Sequence, residues 1–191
     1  MSDLSIKNKQ VRAKKMMLLL ALLSITMTFG GLTSAYVVSK GRPDWLVDFT
    51  LPASFSYSTI ILFISSLTIH LSKVFLLKPN GKLNSLRLLI LTFILGLLFL
   101  FFQFNGFNNF IEQGYYFAGA QSNVTTSFIY VLAFVHILHL IAGLIVLLVL
   151  IYRTYNNKYR ESSLGFSLGV TFWHFLDLLW LYLFFFFYFF G

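Results

Sequence analysis

The chain has 191 residues, of which 58% are hydrophobic and only 10% are charged, whereas a soluble domain usually carries about 25% charged residues. This composition excludes a soluble globular protein and indicates an integral membrane protein. Cysteine is absent from the sequence, which excludes disulfides, iron–sulfur clusters, zinc–thiolate sites and cysteine nucleophiles. In a membrane protein the net charge of +8 indicates loops that face an anionic leaflet, and not binding to nucleic acid.

Five segments of the chain are long and apolar enough to cross a membrane, which takes about 20 mostly apolar residues. In chain order the predicted spans are 16–39, 53–77, 87–107, 124–152 and 164–190. A basic tail at 1–15 precedes the first span, which is too long for a signal peptide and has no clear cleavage site after it. We therefore predict an all-α polytopic membrane protein, in which residues 16–191 form a single domain of five transmembrane helices.

The basic residues predict the orientation of these spans. The tail holds five Lys or Arg, and the loops at 40–52, 73–87, 107–123 and 153–163 hold two, four, zero and three. Because basic residues are enriched on the cytoplasmic side of membrane proteins, this alternation places the N-terminus in the cytoplasm and the C-terminus outside.

Two pairs of polar side chains lie deep in the fourth and fifth predicted spans, His136 with His139 and His174 with Asp177. Residues three apart share one face of a helix. His139 and Asp177 each lie roughly 20 Å from the predicted cytoplasmic end of their span, and sequential helices with a short connection usually pack side by side. We therefore expect one structural polar cluster, with His174 and Asp177 facing His136 or His139.

A metal site or a haem is an alternative use of these four side chains. A carboxylate-bridged di-iron site needs a Glu from each of two helices and two Glu-x-x-His motifs, but Asp177 is the single carboxylate at this depth. A haem held by two His needs a ring-sized gap, and these spans are dense in Phe and Leu. We favour a hydrogen-bonded lock between helices, since polar interhelical contacts contribute about 0.6 kcal/mol on average and about 1.7 at most.

The residues alone leave four kinds of protein open: an accessory subunit, a scaffold, a small transporter, or a self-contained membrane metalloenzyme that uses the His and Asp side chains. A transporter would be expected to have broken helices or charges at the midplane that face a cavity. Only Asp177 fits that description.

The fifth span carries the most specific motif of the chain. Its segment "FWHFLDLLW", residues 172–180, resembles the closing signature of haem–copper oxidase subunit III, which reads Tyr-Trp-His-Phe-Val-Asp-x-x-Trp. The matching positions are Trp173, His174, Phe175, Asp177 and Trp180.

Shorter matches extend the resemblance to the other spans. The fourth span keeps both His of the family's Phe-His-Gly-x-His-Val run and lacks its Gly, and "LLSITMTFGGLTSAY" in the first span is similar to a Ser-Glu-x-x-x-Phe run. In the second and third spans the matching positions are Thr59, Ser65, Ser66, Gly96, Phe99 and Gln103, with Ser58 in place of an Asn. The resemblance covers nearly the whole chain and implies the short, five-helix form of the subunit.

Three acidic residues that this family often carries are replaced in the chain. The corresponding positions hold Ile25, Gly106 and Ser167. Their replacement argues against proton conduction through acidic residues of this chain.

The resemblance implies an accessory role. Subunit III carries no haem or copper, which are expected in the partner subunits, and it binds phospholipid in a cleft between helix bundles. It supports proton uptake and the stability of catalytic subunit I during turnover, while the complex oxidises cytochrome c or quinol and reduces oxygen to water with proton translocation. No catalytic, cofactor-binding or metal-binding residue is therefore expected in this chain.

The resemblance also implies partners and a location. Subunit I is expected as the main contact, together with subunit II, small subunits and phospholipids, and the chain is expected in the inner membrane of a bacterium. The electron donor, the haem type, the identity of the lipid and membership of a respiratory supercomplex stay open.

Overall fold

The computed structural model describes residues 2–42, 45, 53–117, 119, 123–157, 159 and 163–190. These residues form helices and connecting turns, and no strand occurs in these ranges. The helices are α1 (Ser2–Ser39), α2 (Ala53–Leu76), α3 (Lys82–Glu112), α4 (Val124–Tyr155) and α5 (Leu164–Phe190). All five are long and apolar enough to cross a membrane, so the predicted all-α fold with five membrane-spanning helices is confirmed. The orientation of the termini stays a prediction.

Several helices are longer than their apolar segments. Helix α1 begins at Ser2, because the stretch at 2–15 contains no Gly or Pro and half of its residues are Lys, Arg, Gln or Ala, which favour helix. Helix α3 begins at Lys82 and ends at Glu112, beyond both ends of the predicted 87–107 span. A helix can continue past the apolar core of the bilayer into water, so hydropathy locates a span better than it locates the ends of its helix.

Helices α2 and α3 form a hairpin around a tight turn. Asn80 has a positive φ of 66°. A Cβ atom on Gly81 would collide with the Phe75 carbonyl oxygen, so only glycine fits at this position. A column of interhelical hydrogen bonds continues along the hairpin. It comprises Ser72 Oγ to Ser85 O (2.9 Å), Thr68 Oγ1 with Thr92 Oγ1 (2.8 Å), Gln103 Nε2 to Ser58 Oγ (3.0 Å) and Asn109 Nδ2 to Ser54 Oγ (3.3 Å).

Helix α5 contacts α1, α2 and α4, and its large side chains fill the centre of the bundle. Trp173 is 1% exposed and lies against glycines of two other helices. A Cβ atom on Gly96 of α3 or Gly143 of α4 would come within 2.9 Å and 3.3 Å of the Trp173 ring. Gly143 lets α4 and α5 approach closely, and Gly96 leaves room for the Trp173 ring to reach α3. The packing of this ring fixes the rotation of α5 about its axis.

Candidate functional site

Three side chains of α5 form hydrogen bonds with hydroxyl groups of α2. The pairs are Trp173 Nε1 with Ser65 Oγ (3.1 Å), His174 Nδ1 with Ser66 Oγ (2.7 Å) and Trp180 Nε1 with Thr59 Oγ1 (3.0 Å). An indole N–H can only donate, and a hydroxyl in the facing helix supplies the acceptor that it needs inside a membrane. The segment of α5 that carries the sequence motif therefore holds α5 against α2 by hydrogen bonds.

His174 and Asp177 lie beside a groove between α2 and α5. His174 Nδ1 and Asp177 Oδ2 are 4.0 Å apart, and the two side chains are 33% and 10% exposed. This distance is too long for a hydrogen bond, and His174 instead bonds to Ser66. The groove has a volume of about 280 Å³ and is lined by Thr59, Leu62, Phe63, Ser66, His174, Asp177, Leu178, Trp180 and Leu181.

The structure does not bring the two predicted pairs together. His174 and Asp177 lie on the side of α5 that faces α2, and not toward His136 or His139 as we expected. The reason is the rotation of α5: Trp173 and Leu176 occupy the face toward Gly143 of α4, so the side chains next to them in the helix turn away from α4.

His136 and His139 have separate surroundings on α4. His136 is fully buried, its ring packs against Phe29, Phe99 and Trp180, and both of its nitrogens lack a hydrogen-bond partner within the described ranges. His139 donates from Nδ1 to the Val135 carbonyl of its own helix (2.7 Å). Neither arrangement is that of a metal ligand, and in the described part of the chain no three His, Asp or Glu side chains lie together as a metal site would need.

One polar residue of this region was missed in the sequence. The ring of His70 on α2 lies 5.9 Å from the ring of His174, centroid to centroid. A signal for it was present, because His70 follows Ser66 by four residues and therefore shares its helix face. Lys73 follows on the same face, so polar side chains extend from the groove toward the end of α2.

The other family-motif positions have structural roles. Gly96 makes room for Trp173, Phe175 packs against the edge of the core, and Gln103 donates to Ser58 while its Oε1 has no partner among the described residues. Two of the positions that lack the family's acids are also packed. Ile25 packs on the core, and a Cβ atom on Gly106 would lie 3.0 Å from the Phe55 ring, so a longer side chain has no room there without movement of Phe55.

A second groove runs between α1, α4 and α5 near Arg153. It has a volume of about 520 Å³ and mostly apolar walls. Arg153 in the last turn of α4 lines it, together with Tyr159 in the connection that follows. Burial raises the pKa of the Tyr159 hydroxyl, and the Arg153 guanidinium beside it acts in the opposite direction. The groove thus combines a long apolar surface with a cation close to the end of a span.

The family described as cytochrome c oxidase subunit III matches residues 11–191. Cytochrome c oxidase subunit 3 of Thermostichus vulcanus is 30% identical over 172 residues, which are 87% of this chain and 82% of that protein. Cytochrome bo(3) ubiquinol oxidase subunit 3 of Pseudomonas aeruginosa is 30% identical over 86% of this chain and 79% of its own. The protein of the same name from Buchnera aphidicola subsp. Schizaphis graminum is 35% identical over 66% of this chain and 65% of its own.

Proposed function

The chain belongs to the cytochrome c oxidase subunit III family and is a subunit III of a haem–copper oxidase, and we propose that it serves there as an accessory subunit without a redox centre. In this role it stabilises catalytic subunit I and supports proton uptake, while the complex reduces oxygen to water and moves protons. Subunit I is its main partner, subunit II and small subunits complete the complex, and haem and copper are held by the partner subunits. The complex lies in a bacterial inner membrane.

One structural observation supports the accessory role. The side chains that match the family signature most closely are used to hold helices together, since Trp173, His174 and Trp180 bond to hydroxyl groups of α2. His136 lies among aromatic rings, without a polar partner in the described residues. Side chains used in this way build a rigid bundle, and a rigid bundle is what an accessory subunit provides to a catalytic neighbour.

We place bound phospholipid in the groove between α1, α4 and α5. Its apolar walls suit acyl chains, and Arg153 suits the phosphate of a head group because an Arg can bind phosphate oxygens in a bidentate manner. We expect Arg153→Gln to lower the phospholipid that co-purifies with the complex, by about one molecule per chain if the groove holds one lipid. Arg87→Gln, which removes an exposed Arg of α3 outside this groove, is the matched control.

The electron donor is cytochrome c or a quinol, and relatives at similar identity carry both names. The preference is set in the other subunits, so the donor is best measured on the whole complex. Oxygen consumption with reduced cytochrome c and with a quinol, each supplied to the same preparation, separates the two. We expect uptake with one donor to exceed uptake with the other.

The proposal is tested by affinity purification of the tagged chain in mild detergent. We expect haem bands in the reduced-minus-oxidised spectrum, together with a larger membrane subunit that carries the haem. A chain that purifies alone with stoichiometric metal would overturn the accessory role and support the metalloenzyme alternative.

A further inference from the structure

The groove between α2 and α5 contains a carboxyl group that makes no hydrogen bond to the described residues. The Asp177 side chain is only 10% exposed, and neither Oδ1 nor Oδ2 makes a hydrogen bond to a residue in the described ranges. His174 Nδ1 bonds to Ser66 and Trp180 Nε1 bonds to Thr59, so neither of these two nitrogens bonds to the carboxyl. Ser66 lies beside the carboxyl as well, but its hydroxyl meets hydrogen-bond geometry with His174 and not with Asp177.

The depth of Asp177 limits what can supply the missing hydrogen bond. Asp177 is the central residue of α5 (Leu164–Phe190), so it lies about 20 Å from either end of the helix at 1.5 Å per residue. The hydrocarbon core of a bilayer is about 30 Å thick, and this position is therefore near its midplane. Lipid head groups do not reach this depth, and acyl chains have no hydrogen-bond donor.

The surface around the carboxyl is apolar and accessible. Phe63 on α2 and Leu178 on α5 are each 66% exposed, and Leu181 is 37% exposed. These three side chains line the groove on both of its sides. A mostly apolar groove that contains a carboxyl group without a hydrogen bond to the described residues matches a transmembrane helix that carries a donor side chain. Ionisable residues inside a membrane pair with other protein groups.

We propose that a transmembrane helix of another subunit of the oxidase packs in the α2/α5 groove and donates a hydrogen bond to Asp177. This interface rests on the proposed function, because it takes the partner to be a membrane subunit of the same complex. It goes beyond that function by assigning the face of the chain that the partner covers. Asp177 is then an interfacial residue and not an internal lock.

The first test places a photo-cross-linking amino acid, p-benzoylphenylalanine, at Leu178 in the full complex. Met27 on α1 is the matched control position, since it is 68% exposed and lies on a helix that does not line the groove. We expect Leu178 to cross-link to the polypeptide of a membrane subunit in clearly higher yield than Met27. Cross-links from Leu178 to lipid alone would overturn the proposal.

The second test compares Asp177→Leu with Asp177→Asn, which keeps one acceptor oxygen. We expect Asp177→Leu to lower the ratio of this chain to the haem-bearing subunit in the purified complex by roughly tenfold, because it leaves a buried donor of the partner unpaired. Asp177→Asn should lower the ratio less. If no donor faces Asp177, the leucine removes an unpaired buried carboxyl and the ratio stays unchanged or rises, which would overturn the proposal.

Two controls keep these outcomes distinct from other failures. The ratio is normalised to the amount of each variant recovered in the membrane, so that poor folding is not read as poor assembly. Absence of any haem-bearing subunit with the wild-type chain would count against the proposed function itself. An intact wild-type complex that fails both tests would count against this interface alone.

Discussion

The indole ring of Trp173 lies against Gly96 so closely that a Cβ atom on this glycine would come within 2.9 Å of Trp173 Cη2. This Cβ atom would also lie 2.9 Å from Leu144 Cδ2. Gly96 thus lets the side chains of Leu144 on α4 and Trp173 on α5 pack directly against the backbone of α3.

We expect Gly96→Val to lower the free energy of unfolding by about 1–3 kcal/mol, because overpacking of a buried contact forces side chains and backbone to move. The measurement is denaturant unfolding of the purified complex, in which the release of this chain from the complex reports its unfolding. Gly30→Val is the control, since a Cβ atom on Gly30 has no neighbour within 4 Å. Equal losses for the two variants would contradict the packing role of Gly96.

The hydrogen bond between Trp173 and Ser65 can be measured by a double-mutant cycle. We expect Trp173→Phe and Ser65→Ala each to lower the free energy of unfolding of the chain. The free energies of unfolding of the two single variants and the double variant should give a coupling energy of about 0.6–1.7 kcal/mol, the range for polar contacts between membrane helices. Trp173→Phe with Thr59→Ala is the control pair, because Thr59 bonds to Trp180 instead. Coupling in the control as large as in the test pair would show that the effect is not specific to this bond.

His136 has aromatic neighbours and no polar partner within the described ranges. We expect His136→Leu to leave the stability unchanged or to raise it by about 1 kcal/mol, because a buried polar group without a hydrogen bond is costly. His174→Leu, which loses the bond to Ser66, should lower the stability. The measurement is the midpoint of thermal unfolding together with the haem spectrum of the complex. Loss of haem from intact His136→Leu complex would support the haem or metal alternative.

Gly106 stands at the position where the family motif that the third span resembles has an acidic residue, and the Phe55 ring occupies the space beside it. We expect Gly106→Glu to lower the free energy of unfolding by about 2 kcal/mol or more, because the added side chain collides with a buried ring and brings in an unpaired carboxyl. Combining it with Phe55→Ala should cost less than the sum of the two single changes. Strict additivity in denaturant unfolding would show that Phe55 does not limit this position.

The five helices could be predicted because hydropathy and charge report directly on contact with lipid or water. The ends of α1 and α3 could not, since a helix continues into water as long as its residues favour helix. For α5, the spacing of His174 and Asp177 showed that they share a face but not which neighbour that face meets.

The rotation of α5 depends on long-range contacts. Trp173 and Trp180 need acceptors for their indole N–H groups, and α2 supplies these at Ser65 and Thr59. The sequence already showed hydroxyl residues at these two positions of α2, whereas the inner face of α4 around His136 is mostly apolar. Matching the indole donors of one span with the hydroxyl acceptors of another would have predicted the contact between α2 and α5. The spacing of the titratable residues alone did not predict it.

The most direct test of the accessory role compares the oxidase purified with this chain and after its deletion. We expect the same haem and copper content per catalytic subunit and a similar initial rate of oxygen uptake, followed by faster loss of activity during turnover without the chain. Loss of haem or copper in proportion to the missing chain would contradict the account, because it would place a redox centre in these five helices.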